Sequence, residues 1–319
     1  KLVGCTPSRP TADMDASSPP SPTLERASEE ASAVVLSFVA IGYNEGRTLG
    51  ACLASLHAAV PEGLAYEILY VDAGSRDDSV RVAEGAPVDR ILGGEKRRRA
   101  AENRNLGFRA ARGTYVQFVD GDMTLAADWT RPALEFLESH PDVAAVCGNI
   151  EEHAEGLLFR VLEIDWPRRE SYVRHCGGDA LFRRDVLDRV GGFPEDVDYG
   201  EEPLLCWRIR NRLQLRIYQL DRLMVNHDLG HRGLADYCRR HVRLGATYAE
   251  IAHRCFRTPD RLWLKETVAN VAWTAAWVAG AAGLVVGPVA LRVAVAAGAA
   301  LLLLRKAVQV RRRGYPPYV

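Results

Sequence analysis

Apolar positions fall into two alternating patterns over the first part of the chain, short unbroken runs and spacings of three or four residues. Val34-Val35-Leu36-Ser37-Phe38-Val39-Ala40-Ile41 is a run of strand length, of the kind buried on both faces of a parallel sheet. Gly42-Tyr43-Asn44-Glu45-Gly46 interrupts it, and Leu49, Cys52, Leu53 and Leu56 then recur at helical spacing between Arg47 and about Val60. The cycle repeats with a strand over 67–72, a turn at 73–78 whose Ser and Asp residues suit a helix start, and a weaker strand near 88–92. A basic, alanine-rich helix is expected over about 96–112 and a fourth strand over 114–119. Strands alternating with helices predict an α/β fold with a doubly wound, mostly parallel sheet. Further on, 215–220 and 223–227 read as two short apolar runs, and 234–256 as an arginine-rich amphipathic helix.

The pattern then disappears. From Val268 to Leu304 the one charged residue is Arg292, and the run is too long for a single span of about 20 residues. Gly287-Pro288 near its middle predicts a transmembrane helical hairpin, inward over 268–286 and back over 289–304. Arg257, Arg261 and Lys265 precede it, and Arg305, Lys306, Arg311, Arg312 and Arg313 follow, which puts both outer ends on the cytoplasmic side. The alternative is a buried alanine-rich helix pair in a soluble protein.

Composition adds boundaries. The chain has 319 residues, 48% hydrophobic, enough for one large core or two smaller ones. Its 41 basic and 41 acidic residues balance, which removes a global electrostatic argument for nucleic acid. Residues 1–32, rich in Ser, Pro, Thr, Ala and acids, read as a disordered leader. Seven scattered cysteines without a C-x-x-C pair suggest a reducing compartment and neither a zinc site nor a disulfide framework. The expected organisation is a leader (1–32), a catalytic domain (33–256), a linker or interfacial segment (257–267), the hairpin (268–304) and a basic cytoplasmic tail (305–319).

Candidate chemistry gathers at strand ends. Tyr43-Asn44-Glu45 follows the first strand, Asp72 ends the second, and Asp120-Gly121-Asp122 ends the fourth. In open α/β sheets ligands bind outside the carboxyl ends of the strands. The Asp-Gly-Asp suits oxygen ligation of a divalent cation, although acids around a glycine are also common in plain turns. No G-x-G-x-x-G follows the first strand and no G-x-x-x-x-G-K-[ST] occurs, which disfavours dinucleotide enzymes and P-loop NTPases.

Gly42-Tyr43-Asn44-Glu45, Val71-Asp72-Ala73-Gly74-Ser75-Arg76-Asp77, Arg104-Asn105-Leu106-Gly107 with Ala110-Ala111-Arg112-Gly113, and the Asp-Gly-Asp strand end together resemble family 2 glycosyltransferases of the GT-A fold. Gly177-Gly178-Asp179-Ala180-Leu181-Phe182-Arg183-Arg184, Val190-Gly191-Gly192-Phe193 and Gly200-Glu201-Glu202-Pro203-Leu204-Leu205-Cys206-Trp207-Arg208 resemble the acceptor-side block of the same family, so the likeness covers about 34–256. Two departures stand out. Ala73 replaces the second acid that many members carry after the second strand, and Glu201-Glu202 stands where the family has a Glu-Asp pair. No Q-x-x-R-W-type motif of processive synthases is present, which favours single additions.

The resemblance implies an inverting enzyme using a nucleotide-diphosphate sugar, UDP-sugar favoured, with Mg²⁺ or Mn²⁺. Asp122 is then the first metal ligand, and Asp120 contacts the ribose or the metal through water. His227 lies where some relatives place a histidine near the metal. Asp72 would bond the base, Tyr43 stack on it, and Asn44 and Glu45 complete the donor side. Arg104 would meet the diphosphate, while the neighbouring Lys96-Arg97-Arg98-Arg99 reads as a solvated helix face. Glu202 would be the general base, with Glu201 as the alternative; an ordinary acidic helix start would look the same. Arg239, Arg240, His241 and Arg243 either meet lipid headgroups or form the wet face of a docked helix. The reading is a cytoplasm-facing enzyme of the inner membrane acting on a lipid-linked or membrane-proximal glycan acceptor in exopolysaccharide or cell-envelope synthesis. A nucleotidyltransferase of related fold and an inactive membrane scaffold are the rivals.

Overall fold

The computed structural model describes residues 34–154, 168, 170–230 and 234–312, so the expected leader and the last part of the basic tail lie outside the described residues. Its centre is a nine-stranded sheet with the order β3-β2-β1-β4-β8-β6-β9-β5 and β7 beside β9. The strands are β1 (Leu36–Gly42), β2 (Tyr66–Asp72), β3 (Arg90–Gly93), β4 (Tyr115–Asp120), β5 (Met123–Leu125), β6 (Val143–Ala154), β7 (Ser171–Val173), β8 (Leu181–Arg183) and β9 (Arg216–Gly230). The helices are α1 (Leu49–Ala58), α2 (Ser79–Glu84), α3 (Ala100–Ala110), α4 (Thr130–Ser139), α5 (Arg184–Val190), α6 (Glu201–Arg208), α7 (Leu234–Arg254), α8 (Leu264–Val286) and α9 (Val289–Arg312). Strands β1 to β4 pair in parallel, and all seven residues of β1 are buried, as a run covered by helices on both faces must be. The far half is mixed: β8 is antiparallel to β4 and β6, and β9 is parallel to β6 but antiparallel to β5 and β7.

Charge enters this core once at the edge away from the strand ends. Buried Glu67 accepts hydrogen bonds from the Ser37 hydroxyl at 2.6 Å, the Arg112 backbone N–H at 2.6 Å and side chain at 2.9 Å, and Arg90 at 3.0 Å. Burial pushes its carboxyl up, but these donors outweigh it and hold the group below the usual range.

Three expectations about elements change. The two apolar runs after residue 215 form one strand, β9, which carries Asp221 and Arg222 through by shifting register against β6. The basic helix begins at Ala100, because Arg99 is extended and its N–H is capped at 2.8 Å by the Glu102 carboxylate. Lys96 to Arg99 is therefore a loop lying over the ends of β2 and β3, not a helix face. Helix α4 and strand β6 had no counterpart in the sequence reading.

A second, smaller core joins Val197, Leu204, Ile251, Cys255 and Leu262, with Trp207 and Trp263 packed against it. Beyond it the solvent relation inverts. In α8 Gly283 is the one buried residue, while Val286 and Val289 are 81% and 75% exposed. Among the described residues, one helix, Leu264–Val286, is long and apolar enough to cross a membrane, and the apolar stretch of its neighbour, Val289–Leu302, is shorter. The helices break at Gly287-Pro288, where Arg292 donates to the carbonyls of Gly287 at 2.8 Å and Val285 at 3.0 Å.

Candidate active site

The carboxyl ends of β1, β2 and β4 lie side by side because those strands are in register, Gly42 opposite Asp72 and Ile41 opposite Asp120. Asn44, in the left-handed region at φ 60°, ties the first loop to the second. Its N–H donates to the Ser75 hydroxyl at 2.9 Å and its Oδ1 accepts from the Arg76 N–H at 2.8 Å. Glu45 and Gly46 donate backbone N–H groups to Ser79 and Asp77. Asp72 is fully buried, and its carboxylate accepts the N–H groups of Gly74 and Ser75, both at 2.8 Å, and the Tyr70 hydroxyl at 3.1 Å. Gly74, at φ +84°, leaves the space that the Lys96 carbonyl fills. Tyr43 has the Arg97 guanidinium 3.6 Å above its ring centre.

Acids collect at the end of β4. Asp122 Oδ2 lies 3.2 Å from His227 Nε2, a contact fixed by the pairing of Met123 with His227 across β5 and β9. The other ring nitrogen faces Glu152 Oε1 at 3.5 Å. Burial disfavours the charged imidazole, but the hydrogen bonds to Asp122 and Glu152 outweigh it and raise His227 to about 9. Glu45 is raised to about 7, first by burial and then by Asp122 and Asp120. The Asp120 N–H donates to Asp179 Oδ1 at 2.8 Å, and burial followed by the Asp120 charge pushes the Asp179 carboxyl well above the usual range.

Arg104, expected to face the diphosphate, is 2% exposed and enclosed by carboxylates. Its Nη2 donates to Asp120 at 2.8 Å, and its Nη1 to Glu201 at 2.8 Å and Glu202 at 3.3 Å. Glu201 and Glu202 open α6 directly after Gly200, whose φ of +80° and close packing on Ile251 and Thr247 admit no side chain. Glu202 is raised to about 7 by burial and by Glu201, against the opposing pull of Arg104.

The structure thus brings Glu45, Asp120, Asp122 and His227 to one strand end, with Glu201 and Glu202 joined to them through Arg104. Tyr43, Asn44 and Asp72 form the adjoining rim. Glu152, Asp179 and Arg97 are additional members. Asp179 stood inside a recognised motif, whereas Glu152 lies on a strand that gave no signal.

Among the described residues no three His, Cys, Asp or Glu side chains close into a complete metal-binding set. The Asp122 carboxylate and the His227 imidazole would suit a small divalent cation once its binding displaces the imidazole proton.

Comparisons with known proteins bear on the family and the fold. The model of the family described as "Glycosyl transferase family 2" matches residues 37–191. A pre-mycofactocin glycosyltransferase of Mycobacterium tuberculosis is 32% identical over 179 residues, 50% of this chain and 36% of that protein. A glucosyl-dolichyl phosphate glucuronosyltransferase of Haloferax volcanii is 25% identical over 185 residues, 51% of this chain and 59% of its own. The chain thus spans between about a third and three fifths of the length of these relatives. Among solved structures, a mannosyltransferase of Pyrobaculum calidifontis in complex with GDP-Man and Mn²⁺ superposes with a TM-score of 0.66 at 24% identity, covering 88% of this chain and 84% of that one. TarS of S. aureus with UDP-GlcNAc gives a TM-score of 0.52 at 17% identity, covering 62% and 60%. Both likenesses are of fold.

Proposed function

We propose, for a chain that carries a glycosyl transferase family 2 domain over residues 37–191, that it is an inverting enzyme moving a sugar from a nucleotide-diphosphate sugar, UDP-sugar favoured, to a lipid-linked glycan acceptor. The observation that carries this reading is the placement of two acid pairs, Asp120 with Asp122 and Glu201 with Glu202, on either side of one buried arginine at the carboxyl end of the sheet. Asp122 and His227 would hold Mg²⁺ or Mn²⁺, with Asp120 in support. The cation supplies charge stabilisation to the departing diphosphate, worth several kcal/mol in sites of this type. Tyr43 and Asp72 would flank the base, with Asn44 holding their loops together.

Glu202 takes the acceptor hydroxyl proton while that oxygen bonds to the anomeric carbon and the bond from that carbon to the diphosphate breaks. A carboxylate held near 7 is poised for this at neutral pH. The exposed apolar helices after residue 263 support a membrane location. The basic residues flanking both outer ends are the ground for proposing the inner membrane with the catalytic domain in the cytoplasm, and exopolysaccharide or envelope glycan synthesis is the proposed setting. The dolichyl phosphate in the name of one relative supports a lipid-borne acceptor.

The test is nucleotide release by the full chain in detergent from a panel of UDP- and GDP-sugars, with polyprenyl-linked acceptors, with and without Mg²⁺ or Mn²⁺. One sugar nucleotide consumed only with divalent cation is the expected result. No turnover of any donor overturns the reading.

A further inference from the structure

Arg104 is the most enclosed cation at the site, and its surroundings are lopsided. One guanidinium stands against Asp120, Glu201 and Glu202 by direct bonds, with Asp179 close enough to act on it through space. Burial pulls its proton affinity down, yet Asp120, Glu202 and Glu201 outweigh that and push it up, so the charge stays. Its Nε–H is buried without a partner. The orientation of the guanidinium is set by the three carboxylates.

The contacts also reach across the molecule. Arg104 is on α3, Asp120 ends β4 on the donor side, and Glu202 opens α6 on the acceptor side. Behind the guanidinium, Gly178 packs so closely that an added Cβ would collide with Nη2 and the guanidinium carbon. The backbone before β8 therefore presses the fork against the acids.

We propose that Arg104 is a positioning residue that locks the donor-side acid Asp120 and the acceptor-side base Glu202 into one register, so that both halves of the reaction are aligned by a single guanidinium. The proposal rests on the glycosyl-transfer reading of this site. Its physical basis is the planar fork: two nitrogens on one rigid carbon fix the direction of both acids, whereas a lysine ammonium supplies a point charge on a flexible stem. Besides Arg104, the charged or titratable groups that act on Glu202 include Glu201 on its own helix, Asp120 on β4 and Cys176 on the segment before β8.

Arg104→Lys keeps the charge and loses the fork. It should lower kcat by about 100-fold, the size of effect that follows from misplacing a reacting group by about 1 Å, while the donor KM changes by less than about threefold. The acid limb of the kcat profile should move to higher pH, because a looser cation holds the Glu202 anion less well. Gly178→Ala adds one methyl group, removes no charge, and should give the same signature in weaker form. If Arg104→Lys fails to melt cooperatively, Gly178→Ala decides the question. A folded variant with wild-type kcat and an unmoved acid limb would show that Arg104 is only structural, and the inference falls while the proposed reaction stands. Absence of transfer by the wild-type chain with every donor would remove the reaction itself, so the two failures are distinct.

Discussion

Two pairs of carboxylates face each other in this site, and they divide in the same way despite being built on different backbones. Asp120 and Asp122 are two residues apart where a strand ends, so the chain turns between them and they reach different partners: Asp120 meets Arg104 at 2.8 Å and Asp122 meets His227 at 3.2 Å. Glu201 and Glu202 are adjacent at the start of a helix, about 100° apart around its axis. Glu201 turns inward to Arg104 at 2.8 Å with its side chain 7% exposed, and Glu202 keeps a longer 3.3 Å contact and is 19% exposed. In each pair one acid takes a 2.8 Å bond from the arginine, and the other, Asp122 on His227 or Glu202 at the longer 3.3 Å contact, is held less tightly. The members of each pair are therefore held differently and are not redundant carboxylates.

That division gives graded ways to break the site. Glu202→Gln should have the largest effect, lowering kcat by about 10²- to 10⁴-fold while donor binding measured by calorimetry is kept. Glu201→Gln removes the anchor rather than the base and should cost less; equal losses in the two variants would mean that the members of this pair are not differentiated. Asp122→Ala should follow, reducing metal-dependent turnover by about 1,000-fold, equivalent to about 4 kcal/mol of lost charge stabilisation. Metal titration of donor affinity checks it, and an unchanged response to Mn²⁺ would remove Asp122 from the cation. The mildest probe is pH. Glu202 is raised to about 7 and acts unprotonated, so kcat should be level above about 7 and fall about tenfold per pH unit below it. A profile flat down to pH 5 would mean that another group takes the proton.

Much of the sheet was legible in the sequence because parallel strands buried on both faces leave unbroken apolar runs, as β1, β2 and β4 do. Strand β6 was not, since it continues into Asn149, Glu151, Glu152 and His153, where pairing with β9 holds a polar segment that has no strand pattern of its own. At the site, short motifs marked Asp72, Asp120, Asp122, Glu201 and Glu202. They could not show that Arg104 turns inward, because its partners are 16, 97 and 98 residues away and only the fold brings them together. The Lys96–Arg99 segment misled for a local reason. Its basic residues run straight into an alanine-rich helix, but Glu102 caps the backbone of Arg99 and the helix starts only after it.

The small core behind α6 has a practical consequence for anyone wishing to cut the catalytic part free of its apolar helices. Leu204, two positions after Glu202, shares that core with Ile251, Cys255 and fully buried Leu262, and Trp263 packs beside them. A chain ended at 256, where the composition invites the cut, would lose Leu262 and Trp263 and leave a hole of the kind that costs about 2–5 kcal/mol directly against the helix that carries Glu202. A workable truncation has to retain Leu262 and Trp263, so the packed core behind α6 extends up to the first residue of the apolar helix α8.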